Sequence, residues 1–155
     1  MQGQPARPRR WIKYATSSLL WAVFFTFAFG YGLGGFIANY LFDLGKPDAA
    51  IAVYRIALKI YPWNAPNRNG LGLTLLEYGD VDGAIVELQR AVTLAPALSK
   101  YHDHLGAALL RKGRIDEAID QFKEANRLDP QNKESKRNLE KAISEKDDRG
   151  AKQAP

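Results

Sequence analysis

His102-Asp103-His104 is the stretch whose residue types most suggest chemistry. Imidazoles bind metals and move protons near neutral pH. The spacing defeats that use, because residues two apart on a helix point about 200° away from each other. The acidic pairs Asp80/Asp82 and Asp116/Glu117 could supply an acid and a base. They fall at expected helix starts, where carboxylates favour the helix dipole. The glycine-rich FGYGLGG at residues 29–35 lacks the Lys-Ser/Thr of a phosphate loop. No serine stands in a nucleophile-elbow setting, and the chain has no cysteine for thiolate ligands or disulfides. These residues predict no catalytic site, no metal and no cofactor. The chain reads as a binding protein rather than an enzyme.

Charge narrows the partner. The net charge is +5, yet from Asp43 onward 18 basic residues face 17 acidic ones. Arg7, Arg9, Arg10 and Lys13 carry the excess, and no acidic residue lies among them. A nucleic-acid binder needs its basic face on the folded part, so nucleic acid is not an expected partner. A basic head before an apolar segment suits a lipid bilayer instead.

That segment is Tyr14 to Phe42, 29 positions without a charge. About 20 apolar residues cross a bilayer as a helix. A cleaved signal peptide has a core of about 7–15 residues and a small-x-small cleavage site; this core is longer and is aromatic where cleavage should occur. The reading is an uncleaved signal anchor over residues 11–37, behind a basic, disordered head at 1–10. The positive-inside bias places the amino terminus in the cytoplasm and the rest across the membrane, in the periplasm if the source is bacterial. The alternative is a mitochondrial outer-membrane protein with cytosolic repeats. Along the span, Ser18, Ala22, Thr26, Gly30, Gly34 and Ala38 recur every fourth residue. Small stripes let membrane helices approach closely. Ala22, Thr26, Gly30, Gly34 and Ala38 are therefore the expected helix-packing face, against a partner subunit or a second copy in a homodimer.

Beyond the span the chain repeats every 34 residues: Pro62, Pro96, Pro130; Gly45, Gly79, Gly113; Ala50, Ala84, Ala118; Ala57, Ala91, Ala125; Tyr54, Leu88, Phe122. This period reads as stacked helix pairs, glycine ending one helix and proline marking the boundary of the next. One pair cannot bury its own apolar face and must stack on its neighbour.

Leu105-Gly106, Ala118, Phe122, Ala125 and Pro130, with Leu71-Gly72, Ala84, Leu88, Ala91 and Pro96, resemble the tetratricopeptide repeat (TPR). The departures are Arg68 and His102 at the usual tryptophan, and Leu75 and Leu109 at the usual tyrosine. The fold class expected is all-α, with one amino-terminal transmembrane helix running on into a short TPR-type solenoid. Three helix pairs are expected at 31–64, 65–98 and 99–132, then a capping helix at 133–146 and a disordered tail at 147–155. The first helix of the first pair falls at 31–44, so the span and the array share one rod over 11–44.

The resemblance implies a concave groove lined by first helices. Its matched positions include Asn69, Leu73, Leu76, Glu77, Asp103, Ala107, Leu110 and Arg111, with Asn39, Phe42, Asp43 and Lys100. Some family members clamp a peptide's terminal carboxylate there. Asn39 and Lys100 match that clamp; Gly35, Gly70 and His104 stand at its other three places, which argues against chaperone-tail recognition. The function expected is a membrane-anchored scaffold or accessory subunit of a larger membrane complex. The alternative is a tethered adaptor delivering a soluble client during cytochrome or envelope assembly. Protein partners, foremost other membrane subunits, and the lipid bilayer are the partners implied.

Overall fold

The computed structural model describes residues 32–153. Among them lie α1 (Gly34–Asp43), α2 (Pro47–Ile60), α3 (Ala65–Tyr78), α4 (Val81–Leu94), α5 (Ser99–Lys112), α6 (Ile115–Leu128) and α7 (Lys133–Gln153). The glycines of the 34-residue period close each pair. Gly45, Gly79 and Gly113 have φ of +70°, +97° and +82°, where a side chain with a Cβ is strained. Each turn makes the same two bonds. The glycine N–H donates to Phe42, Leu76 or Leu110, and the next N–H donates to Leu41, Leu75 or Leu109. These bonds satisfy carbonyls left open at the helix end.

The pairs stack so that α1 touches α3, and α3 touches α5. The core follows the period. Ala50, Ala84 and Ala118, then Ala57, Ala91 and Ala125, are wholly inaccessible, with Tyr54, Leu88 and Phe122 beside them. Small residues on the first helices let the second helices cross closely. A Cβ on Gly72 would lie 2.6 Å from Leu88 Cγ, and one on Gly106 would lie 2.7 Å from Phe122 Cε1.

Arg68 and His102, at the usual tryptophan position, tie each pair to the turn before it. Arg68 Nε donates to the Pro62 carbonyl at 2.8 Å, and Nη1 to Glu87 at 2.7 Å. His102 Nε2 meets the Pro96 carbonyl and Nδ1 meets Gln121, both at 2.9 Å. A carbonyl only accepts, so Nε2 carries a proton.

Two expectations change at the ends. Residues 1–31 lie outside the described residues, and with them most of the span expected over 11–37 and its members Ala22, Thr26 and Gly30. Among the described residues no helix is long and apolar enough to cross a membrane. Ala38, expected on a membrane-packing face, is buried in the core of the array instead, and Gly34 is buried as well. The reason is register: Ala38 stands one period before Gly72, at the place where the second helix crosses. At the other end the helix expected over 133–146 runs on to Gln153, through most of the tail read as disordered. Asn132 Oδ1 caps its start by accepting from Glu134 N at 2.9 Å. Lys146 pairs with Asp116 at 2.7 Å, and Arg149 with Glu145 at 2.9 Å. Arg149 also reaches the Gly113 carbonyl at 3.4 Å. These contacts fasten a stretch with few apolar residues.

Candidate protein-interaction groove

Three first helices, α1, α3 and α5, wall a cavity of about 470 Å3 whose lining includes Gly35, Asn39, Tyr54, Asn69, Gly70, Leu73, Lys100 and His104. Its floor is a hydroxyl. Tyr54 reaches up from α2 and donates to Asn39 Oδ1 at 2.6 Å. Gly70 makes room for it, since a Cβ there would lie 2.2 Å from the Tyr54 oxygen. Burial first, and Asp43 second, push the Tyr54 phenol up to about 12. It therefore stays a hydrogen-bond donor throughout the neutral range.

Across the cavity His104 Nδ1 lies 2.7 Å from Asn69 Oδ1. An amide oxygen only accepts, so Nδ1 carries the proton. Burial and then the Lys100 charge hold this imidazole below its ordinary pKa, against a smaller opposing pull from Glu134. The neutral ring keeps Nε2 as an acceptor. Among the described residues Lys100 makes no ion pair, and its ammonium lies 5.9 Å from the Tyr101 ring centre. The site thus offers one free cation, amide donors and a ring acceptor. That set suits a peptide segment carrying a carboxylate or carbonyl beside an N–H or O–H group.

The groove residues expected from the sequence divide. Asn69 and Leu73 line the cavity, as do Asn39 and Lys100. Glu77 and Ala107 are exposed beyond it. Arg111 is exposed too, and its Nη1 donates to the Leu76 carbonyl at 2.9 Å. Leu110 is half-buried against the core. Leu76 is itself a core residue, since α3 is enclosed by neighbours on most sides. Asp103 turns the other way and accepts from the buried Ser135 hydroxyl of α7. Burial raises the Asp103 pKa, with the Ser135 bond opposing. Sequence reasoning left Tyr54 out of the groove because it belongs to a second helix; the glycine opposite it was the signal.

A second cavity of about 420 Å3 lies between α2, α3 and α4, bordered by Arg55, Lys59, Arg68, Asp80, Glu87 and Arg90. Its buried charges are already paired, Glu87 with both Arg68 and Arg90 at 2.7 Å. The groove on the α1–α3–α5 side gathers the five positions matched to the family's carboxylate clamp and is the better candidate. His102 and His104 face apart, one on Gln121 of α6 and one on Asn69 of α3. Among the described residues no group of three or more His, Cys, Asp or Glu could hold a metal ion.

A tetratricopeptide-repeat family model matches residues 41–109. A second model of the same repeat matches 99–132, so the two together span more than half of the chain. The chain belongs to the tetratricopeptide-repeat family. No curated protein sequence matches it. Solved TPR domains do match. The first TPR domain of Spaghetti (RPAP3), bound to the HSP90 peptide SRMEEVD, superposes with a TM-score of 0.70 at 23% identity, covering 72% of this chain and 89% of that one. The second TPR domain of human RPAP3, in complex with the HSP70 peptide SGPTIEEVD, gives 0.68 at 24% identity over 71% and 92%. The Arabidopsis OM64 TPR domain gives 0.69 at 22% identity over 73% and 93%. At these identities the likeness is one of fold. TPR domains such as these are protein-interaction scaffolds, and this TPR array shares their architecture.

Proposed function

We propose that the chain is a membrane-anchored scaffold or accessory subunit whose TPR groove binds a protein partner within a larger membrane complex. The observation that carries the binding half is convergence. Gly35, Asn39, Gly70, Lys100 and His104, the five positions matched to the family's carboxylate clamp, surround one cavity. The anchoring half is carried by the 29 uncharged positions behind four basic residues. That pattern supports an amino terminus in the cytoplasm and repeats on the far side of the membrane.

The cavity is not a copy of a chaperone-tail clamp. Glycine replaces two of its five polar groups, and the Tyr54 hydroxyl fills the space at one of them. The partner segment pairs with Lys100 alone among cations and uses the amides of Asn39 and Asn69. The test is co-purification of the full chain from membranes in mild detergent, with mass spectrometry of what stays bound. A membrane-protein partner that is lost in Lys100→Glu is the expected result; a lone monomer overturns the proposal.

The polar lining favours a second reading, a tethered adaptor for a soluble client, because permanent subunit contacts are usually more apolar. Under that reading, replacing residues 11–30 by an unrelated apolar helix leaves client binding intact. Under the first it releases the membrane partner. A self-pairing anchor, giving a homodimer, is compatible with both.

A further inference from the structure

The helices alternate in direction, so the start of α1 and the turns after α2 and α4 share one edge of the array. That edge is apolar. Leu33 and Phe36 at the start of α1, Ile60 and Trp63 at the first turn, and Leu94 and Leu98 at the second are all exposed, Trp63 at 67% and Phe36 at 72%. Residues 60–67 and 94–99 contain no charge. The two turns adjoin, since Trp63 and Leu94 line one shallow depression. Side chains Lys59 and Lys100 border this edge and are exposed. The nearby acid Glu87 is spent on Arg68 and Arg90.

The opposite edge also exposes Leu44 and Tyr78, but charge interrupts it at every turn: Lys46 and Asp48, then Asp80 and Asp82, then Arg114, Asp116 and Glu117. The apolar character also fades along the array: the third turn on the first edge holds Asp129, Lys133 and Glu134. An apolar strip rimmed by cations, strongest where the described chain begins and weakest farthest from it, has the chemistry of the headgroup zone of an anionic bilayer. Exposed tryptophan concentrates in that zone.

We propose that this edge lies in the bilayer interface, with Trp63 as its anchor, so that the first two repeats rest on the membrane and the third lifts away. The inference rests on the anchored reading above. It fixes the orientation of the groove, whose mouth then opens sideways along the membrane rather than away from it.

The test uses the full chain with Trp11→Phe and Trp21→Phe, leaving Trp63 as the sole tryptophan. It is reconstituted into vesicles of phosphatidylcholine and phosphatidylglycerol. Blue-shifted Trp63 emission, quenched by lipids brominated near the headgroup and shielded from aqueous iodide, is expected. Emission quenched by iodide and untouched by brominated lipid overturns the proposal. So does emission that is shielded in native membranes yet untouched by brominated lipid in vesicles, which assigns the strip to a protein neighbour. An alkaline carbonate wash of the same vesicles separates the two readings. Retained protein with iodide-quenched Trp63 refutes the docked edge alone, and released protein refutes the anchor.

Discussion

Arg68 and His102 stand one period apart and make equivalent pairs of bonds. Each holds the carbonyl of a turn proline, Pro62 or Pro96, and a side chain of the second helix, Glu87 or Gln121. Polar staples have replaced the packing of a buried indole. The two differ in charge, and that sets a first prediction. Arg68→Ala leaves a carboxylate short of its buried partner and costs about 1.5–3 kcal/mol, whereas His102→Ala removes bonds to a carbonyl and a side-chain amide and costs about 0.5–1.5 kcal/mol. Urea midpoints of the two variants should rank in that order.

Gly70→Ala pushes a methyl into the Tyr54 ring, whose Cζ would lie 2.5 Å away. Tyr54 is buried beneath the cavity, so its ring can give way only by moving the cavity floor or the core around it. Overpacking of this kind costs about 1–3 kcal/mol. Thermal unfolding checks the stability, and loss of partner binding should accompany it because the cavity floor moves.

The Tyr54 phenol sits at about 12 in the folded chain, raised by burial and then by Asp43. An unfolded tyrosine ionises near its ordinary value of about 10. The folded state therefore holds the proton longer. This contribution is complete below pH 10 and is lost as pH rises from there through 12. The slope of the urea midpoint over that window should shrink in Tyr54→Phe.

His104 has the opposite sign. Its folded pKa is depressed, by burial first and Lys100 second, so the unfolded chain binds the proton more readily. The stability it contributes is complete above about pH 6.5, the ordinary value, and is lost as pH falls through the depressed one. NMR titration of the His104 ring should show a midpoint below that of a free histidine. Lys100→Gln should raise it, and His104→Gln should abolish this part of the acid sensitivity.

Ser135→Ala removes the hydroxyl that donates to Asp103 inside the joint between α5 and α7. Leaving a buried carboxylate short of a donor costs about 1–3 kcal/mol at neutral pH. The Asp103 pKa, already raised by burial, should rise further because that bond lowers it. A protonated Asp103 has no charge to desolvate, so the loss should shrink on acidification. Urea melts at two pH values check the size and the sign.

The sequence made the hairpins legible and the joints between them less so. Gly45, Gly79 and Gly113 announce three turns because the αL conformation all but demands glycine, and all three adopt it. The alanines of the second helices announce close crossings, since larger side chains would not fit there. Which residues of a first helix face the groove depends on how far each hairpin rotates against the next, and no single spacing encodes that rotation. Position along their helices suggests the groove for Leu76 and Asp103, but Leu76 faces the core and Asp103 faces α7. The His104–Asn69 and Arg111–Leu76 contacts also cross between hairpins. The polar composition of the tail of α7 suggests disorder; one ion pair to Asp116 of α6 and a bond from Arg149 to the Gly113 carbonyl, both invisible along the chain, meet it in the fold.

The array has unlike ends. At one end Phe36 and Tyr40 of α1 stand exposed, and at the other α7 presents lysines, glutamates and aspartates. Charge covers most of the face on which a further repeat would stack at α7, which disfavours head-to-tail growth. Among the described residues the stacking surface with exposed aromatic side chains is the one on α1.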